Sequence, residues 1–123
     1  MKPKLLLVED SPAARAQLVE ALQSEFEIVA EASTGIEAVE MCELHQPELL
    51  LLDLALPAMN GLDALRLIQA RVRPMPRVVI LSGVGAEQTA LDALEAGAHE
   101  YLLKPVSLSK IAQALRGLLR QAA

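Results

Sequence analysis

The sequence predicts an α/β fold, a (βα)5 pattern that forms one doubly wound, open, parallel five-stranded sheet. Short apolar runs alternate with longer amphipathic segments along the 123 residues. Runs such as "LLLV", "LLLL" and "VVIL" lack the polar–apolar alternation of a half-exposed strand. Continuous apolar strands are typical of parallel sheets that helices cover on both faces. No linker or repeat interrupts the pattern, so we expect a single domain over residues 1–123.

Two strand–helix units occupy the first part of the chain. The run "KLLLV" predicts the first strand. Ser11 and Pro12 then begin a helix as its N-cap and its first helical residue. The run "EIVAEA" predicts the second strand. Thr34 and Glu37 have the spacing of a capping box, which indicates a helix that ends near His45.

Three further units complete the pattern. The run "ELLLLD" predicts the third strand, and a helix is expected over residues 60–71. The run "RVVIL" predicts the fourth strand, followed by a helix over residues 86–96 that Gly97 ends. The run "EYLLK" predicts the fifth strand, and the last helix begins at Ser107. Its apolar face is expected to comprise Leu108, Ile111, Ala112, Leu115, Leu118 and Leu119.

Composition restricts the functional classes. The chain is 53% apolar but only 2% aromatic, so aliphatic side chains must build the core. No apolar run approaches the roughly 20 residues of a membrane span, and the N-terminus becomes acidic too early for a signal peptide. We therefore expect a cytoplasmic protein without membrane contact. The net charge of −5 argues against direct binding of nucleic acid. The single cysteine, Cys42, agrees with a reducing compartment and is expected to be a small buried hydrophobe.

Polar residues follow four of the predicted strands. Glu9 and Asp10 follow the first strand, Asp53 ends the third, and Ser82 and Lys104 come at the ends of the fourth and fifth. Ligands of open α/β sheets bind beyond the carboxyl ends of the strands, so these side chains should converge. Three carboxylates would repel one another, and Mg²⁺, which accepts few carboxylates and retains waters, would remove the conflict. A lysine and a hydroxyl beside the metal would bind a phosphoryl group, with Asp53 as nucleophile.

Four segments also carry a resemblance to a known family: "VEDS", "LLLLDLALPAMNGLDAL", "VVILSG" and "EAGAHEYLLKPV". Over essentially its whole length, the chain resembles the receiver domain of bacterial two-component response regulators. The resemblance implies a flavodoxin-like fold, similar to that of chemotaxis regulators, with Mg²⁺ as cofactor. It also implies a place in a phosphorelay, in which a phosphohistidine gives its phosphoryl group to this chain.

The resemblance implies roles for the residues around the metal. Asp53 would be the phosphoacceptor. The metal ligands would be Glu9, Asp10, Asp53 and the backbone carbonyl of Ala55. In the family, side chains two residues after the phosphoacceptor and two after the switch hydroxyl border the water that hydrolyses the phosphoryl group. Here they are Ala55 and Val84, and since neither can hydrogen-bond a water, we expect slow dephosphorylation.

The resemblance also implies a conformational switch. Ser82 matches the switch hydroxyl, Lys104 the phosphate-binding lysine and Tyr101 the switch aromatic. The bond between Lys104 and Pro105 is expected to be cis, which helps to aim the lysine. Phosphorylation would change the face made by the fourth helix, the fifth strand and the fifth helix. That output surface is expected to include Ala90, Leu94 and Tyr101.

The implied partners are proteins. A histidine kinase or a histidine phosphotransfer protein would donate the phosphoryl group, and a downstream output domain or protein would bind the switched face. The chain itself would not be an enzyme, because it would catalyse only its own phosphorylation and slow dephosphorylation.

Two other functions use similar residues. An aspartate-based phosphatase usually needs a second acid two residues after the nucleophile, where this chain has Ala55. A degenerate receiver would act only as a protein-interaction module, but the intact Asp53, Lys104 and acidic pair count against it. His45 and His99 are expected to be solvated. The segment "GVGAEQ" lacks the last glycine of a dinucleotide-binding loop and follows the wrong strand.

Overall fold

The computed structural model describes residues 1–83, 85 and 87–120; Val84 and Ala86, which the sequence analysis includes, lie outside the described residues. Strands and helices alternate along the chain. The strands are β1 (Lys4–Val8), β2 (Glu27–Ala32), β3 (Leu49–Asp53), β4 (Arg77–Ser82) and β5 (Glu100–Leu103). The helices are α1 (Pro12–Leu22), α2 (Gly35–His45), α3 (Gly61–Arg71), α4 (Glu87–Glu95) and α5 (Leu108–Arg120).

The strands form one parallel sheet in the order β2-β1-β3-β4-β5, which confirms the predicted doubly wound fold. The chain passes from β1 to β2 on one side and then returns to place β3 on the other side of β1. The strand order therefore reverses between β1 and β3. In open α/β sheets this reversal creates a crevice beyond the carboxyl ends of the two strands.

Apolar side chains of the described residues pack in two clusters, one on each face of the sheet. One cluster joins the sheet to α2, α3 and α4, and the other joins it to α1 and α5. Leu50 and Leu52 belong to the first cluster, whereas Leu49 and Leu51 belong to the second. Both faces of β3 are therefore buried, which explains the absence of polar residues in its leucine run. Burying each such side chain contributes about 1.5–3 kcal/mol to folding before the entropy cost.

The predicted helix starts are confirmed by side-chain caps. Ser11 Oγ accepts a hydrogen bond from the Ala14 N–H at 3.2 Å, and Thr34 Oγ1 accepts one from the Glu37 N–H at 3.1 Å. Each cap satisfies one of the N–H groups that a helix start leaves without a partner. Gly97 follows α4 with a φ of 108°, a conformation that favours glycine.

One predicted apolar face needs correction. Ile111, Leu115 and Leu118 are buried as expected, but Leu108 is 40% exposed. It is the first residue of α5 and lies at the edge of a groove between α1 and α5. Within the described ranges, none of the helices has the length and apolar character of a membrane span.

Candidate functional site

The five polar residues at the strand ends come together, as predicted. Val8 pairs with Leu52, so the residues after β1 lie beside the end of β3. Asp53 pairs with Leu81, and Ser82 pairs with Leu103, which precedes Lys104. The parallel register thus brings residues from four strands to one edge of the sheet.

The acidic residues form a compact cluster. Glu9 and Asp53 are buried, with 5% and 2% exposure, whereas Asp10 is exposed. One carboxylate oxygen from each of the three lies within 4.8 Å of the others. Hard divalent cations prefer oxygen ligands, and Mg²⁺ in particular binds to few carboxylates while keeping several waters. The donor set and the exposed side at Asp10 therefore fit Mg²⁺.

Lys104 joins the two buried carboxylates. Its Nζ lies 2.5 Å from Asp53 Oδ2 and 3.6 Å from Glu9 Oε1. Partial burial lowers the pKa of Lys104, but the hydrogen bond and charge of Asp53, together with Glu9, outweigh burial and raise the pKa above its usual value. Lys104 is therefore a firmly charged ammonium that partly neutralises the acidic cluster.

The position of Lys104 follows from the end of β5. Its backbone N–H donates to the Ser82 carbonyl at 2.7 Å, which extends the pairing of β4 and β5 by one residue. The peptide bond to Pro105 is cis, as predicted. The lysine therefore leaves the sheet at the edge where Asp53 lies.

Asp53 is held by the loop that follows it. Its Oδ1 accepts a hydrogen bond from the Ala55 N–H at 2.9 Å, and the Leu54 N–H donates to the Leu81 carbonyl at 3.1 Å. Gly61, at the start of α3, approaches so closely that a Cβ there would lie 2.5 Å from the Asp53 carbonyl oxygen. Only glycine allows this approach of α3 to the end of β3.

Glu9 is oriented by contacts at the start of α1. Its Oε2 accepts a hydrogen bond from the Ser11 N–H at 3.2 Å. Burial raises the pKa of Glu9; the Ser11 N–H opposes this, and the negative charge of Asp53 adds to it. Ionisation of the Glu9 carboxylate is therefore costly without a nearby cation. Lys104 supplies one positive charge here, and a bound metal ion would supply more.

Sequence reasoning missed Arg15. Its Nη1 donates to the Glu9 carbonyl at 2.7 Å, and its Nε lies 3.2 Å from Glu31 Oε1. Arg15 therefore ties the backbone of the acidic pair to β2. The sequence does show that Arg15 lies four residues after the Ser11 N-cap, one turn into α1. This spacing does not show which residues the arginine side chain contacts.

The two predicted switch residues lie on neighbouring strands. Ser82 is 2% exposed at the end of β4. Tyr101 is half-buried on β5 and packs against the apolar cluster on the α2–α4 face. Tyr101 pairs with Ile80 of β4, which lies two residues before Ser82. The two switch residues are therefore two strand positions apart. Val84, the other residue expected near the phosphoryl group, lies outside the described residues.

The cysteine and histidines lie away from the acidic cluster. Cys42 is fully buried, and burial, with a smaller effect of Glu43, raises the pKa of its thiol to about 12, so the thiol is unreactive. His99 is exposed as expected, yet its Nδ1 accepts a hydrogen bond from the Val78 N–H at 3.0 Å. His45 is half-buried at the end of α2. His99 is therefore exposed to solvent and also makes a structural hydrogen bond.

Comparisons with known proteins identify the family. The sequence profile of the response regulator receiver domain matches residues 5–116. The chemotaxis protein CheY of Listeria monocytogenes is 35% identical over 113 residues, which cover 91% of this chain and 94% of that protein.

Solved structures agree. The response regulator domain of Thermotoga maritima CheB is similar, with a TM-score of 0.84, 30% identity and coverage of 99% of this chain and 96% of that one. A chain of the CheX-CheY-BeF3-Mg²⁺ complex of Borrelia burgdorferi has a TM-score of 0.88 and 30% identity, with coverage of 94% of this chain and 88% of that one. Receiver domains are signalling modules of two-component systems. The sequence and the fold together place this chain in the response regulator receiver domain family.

Proposed function

We propose that this receiver domain accepts a phosphoryl group on Asp53 in a reaction that requires Mg²⁺. The observation that carries the proposal is the acidic cluster of Glu9, Asp10 and Asp53 with Lys104 against it. Each Asp53 oxygen has a hydrogen-bond donor, since Ala55 holds Oδ1 and Lys104 holds Oδ2. The carboxylate is therefore oriented before a phosphodonor arrives, and such orientation favours reaction.

The proposed metal ligands are Glu9, Asp10, Asp53 and the backbone carbonyl of Ala55. When bound, Mg²⁺ would neutralise the carboxylates and the phosphoryl oxygens, so that the nucleophile and its target no longer repel each other. Mg²⁺ is also held by the related Borrelia burgdorferi complex, together with BeF3, which supports the same choice of ion here.

The side chains of this chain perform the remaining steps. An Asp53 oxygen attacks phosphorus while the bond from phosphorus to the donor nitrogen of a phosphohistidine breaks. The nitrogen keeps the electron pair, and the product is an aspartyl phosphate. The Lys104 ammonium then contacts a phosphoryl oxygen instead of the bare carboxylate, and the Ser82 hydroxyl at the adjacent strand end donates to another. Tyr101 would respond to the movement of Ser82.

The groove between α1 and α5 suits the phosphodonor protein. Its volume is about 440 Å³, and it reaches Glu9 and Lys104 at one end. Its wall includes Ala14, Gln17, Leu18, Val106, Leu108 and Ile111. A histidine kinase or histidine phosphotransfer protein could lay a helix in this groove and bring its phosphohistidine to Asp53. The exposed Leu108 would then be covered by the partner.

The domain would be a switch and not a turnover enzyme. The domain would catalyse its own phosphorylation and slow dephosphorylation, and the α4–β5–α5 face would pass the signal to an output domain or protein. From composition and pattern we also propose a single domain over residues 1–123 with a cytoplasmic location, without membrane contact or direct binding of nucleic acid.

Acetyl phosphate provides a direct test. With Mg²⁺ present, intact mass and peptide mapping should show one phosphoryl group on Asp53, and chelation of the metal should stop the reaction. Asp53→Asn should not be modified, whereas Asp63→Asn, a change at an exposed aspartate of α3, should react normally. Equal modification of the Asp53→Asn protein would overturn the assignment. Absence of any modification would favour an interaction module, and multiple turnover of a phosphate ester would favour a phosphatase.

A further inference from the structure

A second cavity adjoins the phosphoacceptor. Its volume is about 320 Å³, and its wall includes Leu54, Ala55, Leu62, Ser82, Gly83 and Thr89. It lies between the loop after β3, the end of β4 and the α3 and α4 helices. Among the described residues it shares no lining residue with the α1–α5 groove.

The cavity opens beside the Asp53 carboxylate. Ala55 lines it and donates its N–H to Asp53 Oδ1 at 2.9 Å. Ser82 also lines it and directly follows Leu81, the register partner of Asp53 on β4. The wall of the cavity therefore includes the residue that holds Asp53 Oδ1 and the residue after the strand partner of Asp53.

The wall of the cavity is largely apolar, and its polar side chains are the hydroxyls of Ser82 and Thr89 and the amide of Asn60. Leu54 and Leu62 are half-buried and pack against the α2–α4 cluster, which fixes the apolar wall. Thr89 of α4, also half-buried, adds a hydroxyl. The Ala55 side chain is a single methyl group, so it leaves space that a longer side chain at this position would fill. Ligand sites are typically apolar in this way, with few polar groups that orient the ligand.

We propose that this cavity is a subsite for the acyl group of small acyl phosphates. The inference rests on the proposed phosphorylation of Asp53 and adds a preference among donors: short-chain aliphatic acyl phosphates such as butyryl phosphate react faster than acetyl phosphate. An Asp53 oxygen attacks phosphorus, the bond between phosphorus and the acyl oxygen breaks, and the carboxylate leaves with the electron pair. No other reactant is needed.

The size of the cavity favours this occupant. Aliphatic cavities of about 150 Å³ bind benzene, so the present cavity has room for a chain of several carbons. Each methylene that is fully buried should raise the rate constant about fourfold, from its transfer free energy of about 0.8 kcal/mol. Butyryl phosphate has two methylenes more than acetyl phosphate, and we expect about a tenfold advantage because the cavity is partly open.

The test compares donors on the intact domain with Mg²⁺. The second-order rate constant for modification of Asp53 is measured with acetyl, propionyl, butyryl and hexanoyl phosphate, and with phosphoramidate, which has no acyl group. Straight-chain carboxylates are similar leaving groups, so a rise along the series reports binding of the chain. A second readout is a shift of the Leu54 and Leu62 methyl resonances with butyrylphosphonate, whose phosphorus–carbon bond cannot transfer.

Variants of the cavity wall test whether the preference for longer acyl chains arises in this cavity. Thr89→Phe should fill the cavity and reduce the butyryl-to-acetyl ratio to about one, while Gln88→Phe, at the neighbouring exposed position that does not line it, should keep the ratio. Leu62→Ala should enlarge the cavity and move the optimum to hexanoyl phosphate. Equal rates for all acyl donors in the unaltered domain, with phosphoramidate still active, would overturn the subsite and leave the proposed function standing. An unchanged ratio in Thr89→Phe would also overturn it. Failure of every donor, phosphoramidate included, would reject the proposed function and the subsite together.

Discussion

Ala58 adopts a backbone conformation that alanine rarely adopts. Its φ is 68°, in the left-handed region where the Cβ approaches the carbonyl, at a cost of about 1–2 kcal/mol. Its neighbours impose this conformation. The Met59 N–H donates to the Pro57 carbonyl at 2.7 Å, and the Met59 carbonyl oxygen lies 1.9 Å from where a Cβ on Gly35 would be. The loop after Asp53 is therefore held against α2 although one residue in it is strained.

Ala58→Gly should stabilise the fold. Glycine removes the left-handed strain but adds freedom to the unfolded chain, so the free energy of unfolding should rise by about 0.5–1 kcal/mol. Urea denaturation measures the change. Ala70→Gly is the matched control, because Ala70 is exposed within α3 and the same substitution there should destabilise by about 0.5–1 kcal/mol. A loss of stability in Ala58→Gly as large as that in Ala70→Gly would contradict the inferred backbone strain at Ala58.

Ala55 should determine how long phospho-Asp53 lasts. It is exposed next to the Asp53 carboxylate, and its methyl group cannot hydrogen-bond an attacking water. Ala55→Asn supplies an amide that can orient this water, so we expect dephosphorylation to accelerate about 10- to 100-fold. Phosphate release is followed with Mg²⁺ present and phosphatase absent, with Ala70→Asn as the surface control. Loss of the phosphoryl group from the unaltered protein within seconds would refute slow hydrolysis.

The elements that sequence predicts well are those whose signals are local. β2 has the predicted bounds residue for residue, and the side-chain cap at Thr34 marks the start of α2. The convergence of the strand-end residues was also predictable, because parallel strands place their carboxyl ends at one edge. The features that could not be predicted depend on tertiary contacts between elements. The exposure of Leu108 depends on how α5 lies against α1, and the reach of Arg15 to Glu9 depends on how α1 leaves the sheet.

One histidine adds hydrogen bonds to the junction of β4 and β5. The His99 N–H donates to the Val78 carbonyl at 2.9 Å, and His99 Nδ1 accepts the Val78 N–H at 3.0 Å. Protonation would place a hydrogen on Nδ1 and remove this acceptor. Burial lowers the pKa of His99 in the folded protein, and the positive charge of Arg77 lowers it further. Neutral His99 therefore adds a side-chain hydrogen bond to the pairing of β4 with β5, the strand that carries Tyr101.

This arrangement predicts a pH dependence of stability. The unfolded chain binds the proton at pH values below about 6.5, where the folded chain does not yet bind it. The free energy of unfolding should therefore fall as the pH falls through that value, and the fall should level off below the folded pKa. Urea denaturation between pH 8 and pH 5 measures it. His99→Gln should show a shallower dependence than the unaltered protein, and an equally steep dependence in His99→Gln would contradict this role.

Across the molecule, the phosphoacceptor and the proposed output face are linked by β4 and β5. Lys104 contacts Asp53 at one end of β5, and Tyr101 lies three residues earlier on the same strand. Leu91 and Leu94 of α4 and Leu103 of β5 are about half-exposed, so this face has apolar side chains available for a partner. A phosphoryl group that draws Lys104 and Ser82 toward itself would act on both strands at once.

A phosphoryl mimic should therefore change the α4–β5–α5 face. Beryllofluoride with Mg²⁺ should bind at Asp53 and attract the Ser82 hydroxyl. Tyr101 should then turn inward, since the proposed two-state element consists of the segment after Ser82 and the tyrosine ring. Amide resonances between residues 82 and 104 should shift, while those of α2 should not. Asp53→Asn should abolish the shifts, and Ser82→Ala should retain those near Asp53 but lose those of β5. Shifts confined to residues 9–11 and 53–55 in the unaltered protein would show that binding does not reach the output face.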